Sequence, residues 1–145
     1  MQWYTDFYDL LWFTMIEDNF KFSELTKLII NAFYSVYNKL GYGFLEKVYE
    51  NAMMIELKKL GLNAVKQQAI SVYYDDELVG EYFADIIVDN KVIIELKAAE
   101  TLCSEHECQL VNYLKVTDIE VGLLLNFGKK PEIKRRVLTS DHKKS

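Results

Sequence analysis

The sequence predicts an α/β domain: a mixed sheet of four to five strands flanked by helices, in the chain order α-α-β-β-β-α-β. Three observations point to it. Apolar residues first recur at helical spacing in two stretches joined by Gly41-Tyr42-Gly43. Three runs rich in β-branched and aromatic residues follow, separated by Asp75-Asp76 and by Asp89-Asn90-Lys91. A further helical stretch then leads into VGLLL, apolar throughout as a strand covered on both faces must be.

Taken in order, the first helix is expected over 23–40. Leu25, Leu28, Ile29, Ala32, Phe33, Val36, Tyr37 and Leu40 share one side, Ser23 suits the N-cap, and Gly41 the stop. The second is expected over 44–60, with Leu45, Val48, Tyr49, Ala52, Met53, Leu57 and Leu60 inward and Gly61 closing it. The short glycine turn makes the two helices neighbours. Strands are expected over 64–74, 78–88 and 91–99, a helix over 104–115 and a buried strand over 119–127. Residues 132–138 add an edge strand.

The chain divides into an aromatic-rich N-terminal extension (1–22), one domain (23–138) and a basic C-terminal tail (139–145). Seven of the first 20 residues are aromatic and none is basic, which suits a surface for a second copy of the chain or a partner protein. Met15 offers an alternative start. The N-terminus has neither the basic region nor the cleavage site of a secretory leader, and no apolar run approaches the roughly 20 residues that span a bilayer. Two cysteines, Cys103 and Cys108, make no disulfide framework, zinc site or iron–sulfur site, so a cytoplasmic home is expected. The net charge is −5, yet residues 129–145 hold seven basic and two acidic side chains. A basic end on an acidic body is either a phosphate-contacting arm or simply a solvated tail.

The segment VIIELKAAE (92–100) poses the chemical question, because it puts Glu95 and Lys97 into an interior strand. Register decides where they point, since a slip of one residue exchanges the faces. A two-residue loop would set Asp85 opposite Ile94. A three-residue loop, Asp89-Asn90-Lys91, instead pairs Val88 with Val92, Ile86 with Ile94 and Ala84 with Leu96 as one apolar face. The other face then pairs Ile87 with Ile93, Asp85 with Glu95 and Phe83 with Lys97. Asn90 tolerates the left-handed conformation that such a loop needs. Opposed carboxylates repel and raise a pKa unless a cation lies between them, and Mg²⁺ held by one or two carboxylates plus waters suits the place. From the residues alone, an internal ion-pair network linking the strands accounts for the charges equally well.

Asp85 followed by Glu95-Leu96-Lys97 on adjoining strands resembles the PD-(D/E)XK nuclease superfamily. GFLEKVY (43–49) resembles the signature of its GxxExxY family, as do GEYFAD (80–85), VIIELKAA (92–99), HECQLVNYL (106–114) and VGLLLNFG (121–128). The likeness covers 25–137 and implies a restriction-endonuclease-like fold. It also implies a nuclease using Mg²⁺ or Mn²⁺ on nucleic acid, with DNA the expected substrate. On that resemblance Asp85, Glu95 and Glu46 hold the metal, Lys97 attends the attacking water, and Gln109 with Tyr113 matches the Q-x-x-x-Y element of RecB-type nucleases. Glu46 lies three residues from both Gly43 and Tyr49, so a shared helix face is expected. Ala84 stands where the superfamily nominally has proline, and Tyr37 where relatives commonly have histidine. The four-cysteine iron–sulfur cluster of some RecB-like relatives needs more thiols than this chain has.

Two other readings fit the same residues: a non-catalytic nucleic-acid-binding or protein-interaction module that kept the fold, and an enzyme acting on carbohydrate or small phosphates.

Overall fold

The computed structural model describes residues 22–143, apart from the side chain of His142. The expectations for the aromatic extension, its role as a contact surface and the second start at Met15 lie outside these residues. Helices α1 (Ser23–Leu40) and α2 (Glu46–Lys59) precede strands β1 (Ala64–Tyr74), β2 (Glu77–Val88) and β3 (Val92–Lys97). Helix α3 (Ser104–Lys115), strands β4 (Val121–Phe127) and β5 (Pro131–Val137), and a 3-10 turn (Ser140–His142) complete the order. The five strands stand in sequence order, and every neighbouring pair is antiparallel except β3 and β4, which are parallel. The expected element order and edge strand are therefore present.

Local chemistry sets the boundaries. Gly41 ends α1 at φ 66, its N–H donating to the Tyr37 carbonyl at 2.8 Å. Helix α2 starts at Glu46, whose charge suits the positive end of the helix dipole. Tyr49 fixes the linker between the helices: its hydroxyl donates to Gly41 O at 2.7 Å and accepts from Phe44 N at 3.2 Å. The β1–β2 turn uses Asp75 and Asp76, both at positive φ, the geometry that matches the twist of a two-residue hairpin. One expected cap differs. Ser23 is already helical, and the N-cap is Phe22 in the left-handed region, with no side-chain cap bond.

Alternation along β3 and β4 sorts two cores. Val92, Ile94, Leu96, Val121, Leu123, Leu125 and Phe127 face α1 and α2, packing on residues such as Phe33, Met53 and Tyr49. The Tyr49 ring stacks on Phe127 at 4.1 Å. On the opposite side Ile87, Ile93 and Leu124 meet Leu110, Tyr113 and Leu114 of α3. Each fully buried aliphatic side chain contributes about 1.5–3 kcal/mol, so β3, buried from Val92 to Leu96, is a rigid floor. Helix α2 is less one-sided than expected: Val48 is 39% exposed and Leu45, the N-cap before the helix, 81%, while Tyr49, Met53 and Leu57 carry its burial. Strands β1 and β2 run on together well beyond β3, which pairs only with Ile86, Ile87 and Val88 of β2.

The chain leaving β3 is clamped by Asn126, a fully buried polar side chain on β4. Its amide accepts from Ala99 N at 2.9 Å, and donates to Ala99 O at 3.0 Å and to Glu132 Oε1 at 2.8 Å. The contact is so close that a Cβ on Gly128 would lie 2.4 Å from the Ala99 carbonyl oxygen. Replacing Asn126 with alanine would orphan several buried polar groups, each costing about 1–3 kcal/mol. Urea unfolding of Asn126→Ala should show a loss of about 3 kcal/mol against the parent.

Candidate active site

The hairpin between β2 and β3 fixes the site. Asp89 and Asn90 both adopt positive φ, Lys91 N donates to Val88 O at 2.9 Å, and pairing begins at Val88 with Val92. This is the three-residue register expected from hydrophobic sorting, and it continues through Ile87 with Ile93 and Ile86 with Ile94.

There the ladder ends, and the acidic side chains take over from it. Asp85 N donates to Glu95 Oε2 at 2.9 Å, and Leu96 N donates to Asp85 Oδ2 at 2.8 Å. Each carboxylate thus accepts an amide from the other strand. The expected backbone pairs of Ala84 with Leu96 and Phe83 with Lys97 do not form. Ala84 packs instead with Ile87 and Ile93 on the α3 side, and Phe83 is 51% exposed. Strand β2 therefore changes phase between Ala84 and Ile87, because side-chain bonds replace the ladder at Asp85. Asp85 is left half-buried, lining an open cleft of about 380 Å³ with Glu46, Lys47, Glu50, Gln67 and Leu96.

Electrostatics follow from this crowding. Burial, foremost, and the Asp85 charge push the Glu95 carboxyl up to about 8; the Asp85 amide and Lys97 oppose the rise. Asp85 is also raised, first by burial, against the Leu96 amide bond, with Glu50 adding to the rise and Lys97 opposing it. Lys97, half-buried at the end of β3, is thus a cation acting on both acids.

Glu46 sits exposed at the cleft rim, and its Oε2 accepts from Ala98 N at 3.3 Å, tying the start of α2 to the end of β3. Tyr49 does not share its setting, being fully buried in the core. The residue that shares the cleft with Glu46 is Glu50, one helical turn on and 7% exposed. Sequence reasoning missed Glu50, although its i,i+4 spacing from Glu46 was a usable signal. It also missed Gln67, whose Nε2 donates to Glu50 Oε2 at 2.6 Å and to Asp85 Oδ1 at 3.4 Å. On the α3 side, Gln109 Nε2 donates to Tyr113 Oη at 2.6 Å, so the expected pair is formed. Burial raises the Tyr113 hydroxyl most, Gln109 opposes this, and the charges of Glu95 and Asp85 add to it. Two other residues have local roles: His106 Nδ1 accepts from Cys103 N at 3.2 Å in a capping box, and the Tyr37 hydroxyl donates to the Gly128 and Lys129 carbonyls.

Whether the site suits a divalent cation is a question of its donors. Among the described residues no three His, Cys, Asp or Glu side chains stand together so as to hold a metal ion. Two adjacent carboxylates completed by water are nonetheless an ordinary Mg²⁺ donor set. Burial first, and then neighbouring acids, raise both carboxyls, Glu50 and Glu46 acting on Asp85 and Asp85 on Glu95, and a cation would offset that crowding of negative charge. The donor set fits.

The chain belongs to the PD-(D/E)XK nuclease superfamily, whose family model matches residues 23–136. That span takes in every helix and strand positioning the cleft, and the mixed five-stranded sheet is the restriction-endonuclease-like arrangement. Among solved structures, the crystal structure of SSO0001 is similar at a TM-score of 0.49 and 16% identity, over 64% of this chain and 50% of that one. The chain thus spans about half the length of that structure. Among curated proteins, none matches it. Nucleases of this superfamily generally use Mg²⁺ or Mn²⁺, and no helix among the described residues is long and apolar enough to cross a membrane.

The raised acids give a pH signature. A carboxyl with a folded-state pKa above its unfolded value binds more protons when folded, so its contribution is fully present below the unfolded value and is lost as pH rises. For Glu95 the window runs from 4.5 to about 8. Each pH unit inside it costs about 1.4 kcal/mol. In buffer with chelator the thermal midpoint should fall from pH 5 to pH 8, and Glu95→Gln should flatten that slope.

Proposed function

We propose that this chain is a divalent-metal-dependent nuclease of the GxxExxY kind that hydrolyses phosphodiester bonds of DNA. The observation that carries the proposal is the reciprocal bonding of Asp85 and Glu95 where β2 and β3 part, with Lys97 beside them. A bridge made only to join strands would pair each acid with a base. Here two acids share one partly buried place with one lysine, an arrangement suited to binding a cation.

In this reading Asp85 and Glu95 hold Mg²⁺ or Mn²⁺, and Glu46 adds a carboxylate from the rim. The ion, when bound, stabilises charge on the phosphate and makes water more acidic. Lys97 orients the attacking water and offsets charge developing on the phosphoryl oxygens. The water oxygen adds to phosphorus and releases a proton to solvent as the bond to the 3′ oxygen breaks, leaving a 5′-phosphate and a 3′-hydroxyl that takes a proton from solvent. Gln109 and Tyr113 steady the site from the α3 side. Exposed Lys129, Lys130 and Lys134, on and before edge strand β5, attract the backbone of an acidic polymer to an otherwise acidic protein. The aromatic segment 1–22 supplies a surface for a second copy or a partner, and the cytoplasm is the setting that reduced thiols suit.

Labelled single- and double-stranded oligonucleotides with Mg²⁺, Mn²⁺ or chelator test the proposal. Cleavage should require metal, and Glu95→Ala and Lys97→Met should each lower it about 100-fold or more. A Glu95→Ala protein that cuts like its parent would refute the assignment. Metal-independent binding without cutting would favour a non-catalytic nucleic-acid-binding module.

A further inference from the structure

Gln67 stands out as a strained residue beside the site. Strands β1 and β2 keep one register on both sides of it, Lys66 opposite Ile86 and Gln68 opposite Ala84. Gln67 itself, between them, is at φ 55, a left-handed conformation in mid-strand that a side chain with a Cβ disfavours. No turn requires it there, because the register does not change across the position. The distortion instead accompanies the aim of one amide. Gln67 Nε2 donates to Glu50 Oε2 on α2 and to Asp85 Oδ1 on β2.

We propose that Gln67 is a positioning residue for the carboxylates of the cleft, a role that rests on the nuclease reading. Three features support it. The amide carries two N–H donors and no charge, so it can bond two acids at once without neutralising either. A lysine would do the opposite, forming an ion pair that competes with a bound cation. Its partners also come from separate elements: Glu50, 7% exposed, is anchored in α2, and Asp85 lies where β2 leaves the ladder. One amide therefore sets the spacing between the helix and the acidic strand. Finally, Asp85 is bonded from both sides, Oδ2 by the Leu96 amide and Oδ1 by Gln67, which fixes the plane of its carboxylate. Backbone strain of this kind persists where surrounding contacts impose it, and it gathers at functional sites.

The strain separates positioning from plain structural support. Gln67→Gly removes the amide and accepts a positive φ freely, while Gln67→Asn tolerates that φ but is one methylene too short to serve both acids. Both variants should keep or raise the thermal midpoint. Both should weaken Mn²⁺ binding, read by calorimetry, by about 10-fold or more, and slow metal-dependent cleavage at saturating metal, since groups that orient ligands commonly matter to that extent. If both variants match a parent that binds Mn²⁺ and cuts DNA, this inference falls and the nuclease reading stands. If both lose several degrees of thermal midpoint with Mn²⁺ affinity unchanged, or fail to fold, Gln67 is a structural residue and the inference also falls. A parent that neither binds Mn²⁺ nor cuts removes the nuclease reading and this inference together.

Discussion

The organising interaction is the exchange of backbone for side-chain hydrogen bonds where β2 meets β3. An antiparallel pair ordinarily continues N–H to C=O until a turn or the sheet's end stops it. Here the pairing ends at Ile86 and Ile94 because Asp85 and Glu95 each capture an amide of the opposite strand. The amides remain satisfied, so the ladder can end inside the fold without leaving a buried donor unpaired. The cost is electrostatic. Two acids from adjoining strands lie close together with Lys97, on the strand of Glu95, as the nearby cation, and burial pushes both toward the protonated form. A fold selected for stability alone would place apolar or oppositely charged pairs here.

The surroundings resist relaxation of that arrangement. Apolar side chains pack β3 from both faces, on α1 and α2 beneath and on α3 above. Asn126 holds the segment after Lys97, and Glu46 reaches from α2 to the Ala98 amide. The acids are held by rigid elements, while the cleft that Asp85 lines with Glu46 and Glu50 remains open to solvent on the α2 side. A stiff floor and an open mouth suit chemistry on an extended polymer better than on an engulfed small molecule.

Much of this was legible in the sequence. The element order followed from periodicity and turn residues, and the hairpin register from sorting apolar residues onto one face, because both depend on local pattern. The spacing of Gln109 and Tyr113 was enough to place their side chains in contact. The phase change that moves Ala84 to the α3 side was not legible, because it follows from hydrogen bonds between side chains and a distant strand. Gln67 was hidden for a similar reason: its left-handed backbone gives no compositional signal in the run VKQQAI. Glu50 could have been found from Glu46, but a second helical acid has no mark that separates it from ordinary surface. Element identity was written locally; the aim of individual side chains was set by partners far along the chain.

The long β1–β2 ribbon extends past β3, which shares only three ladder pairs with it. Its distal half, including exposed Tyr73, Tyr74, Leu78 and Val79, bears none of the bonds that orient the acids. That half is consequently free to drift in evolution. Lengthening, trimming or resurfacing it would perturb pairing within the ribbon alone, giving the core that holds the acids an appendage that can diversify at its own pace.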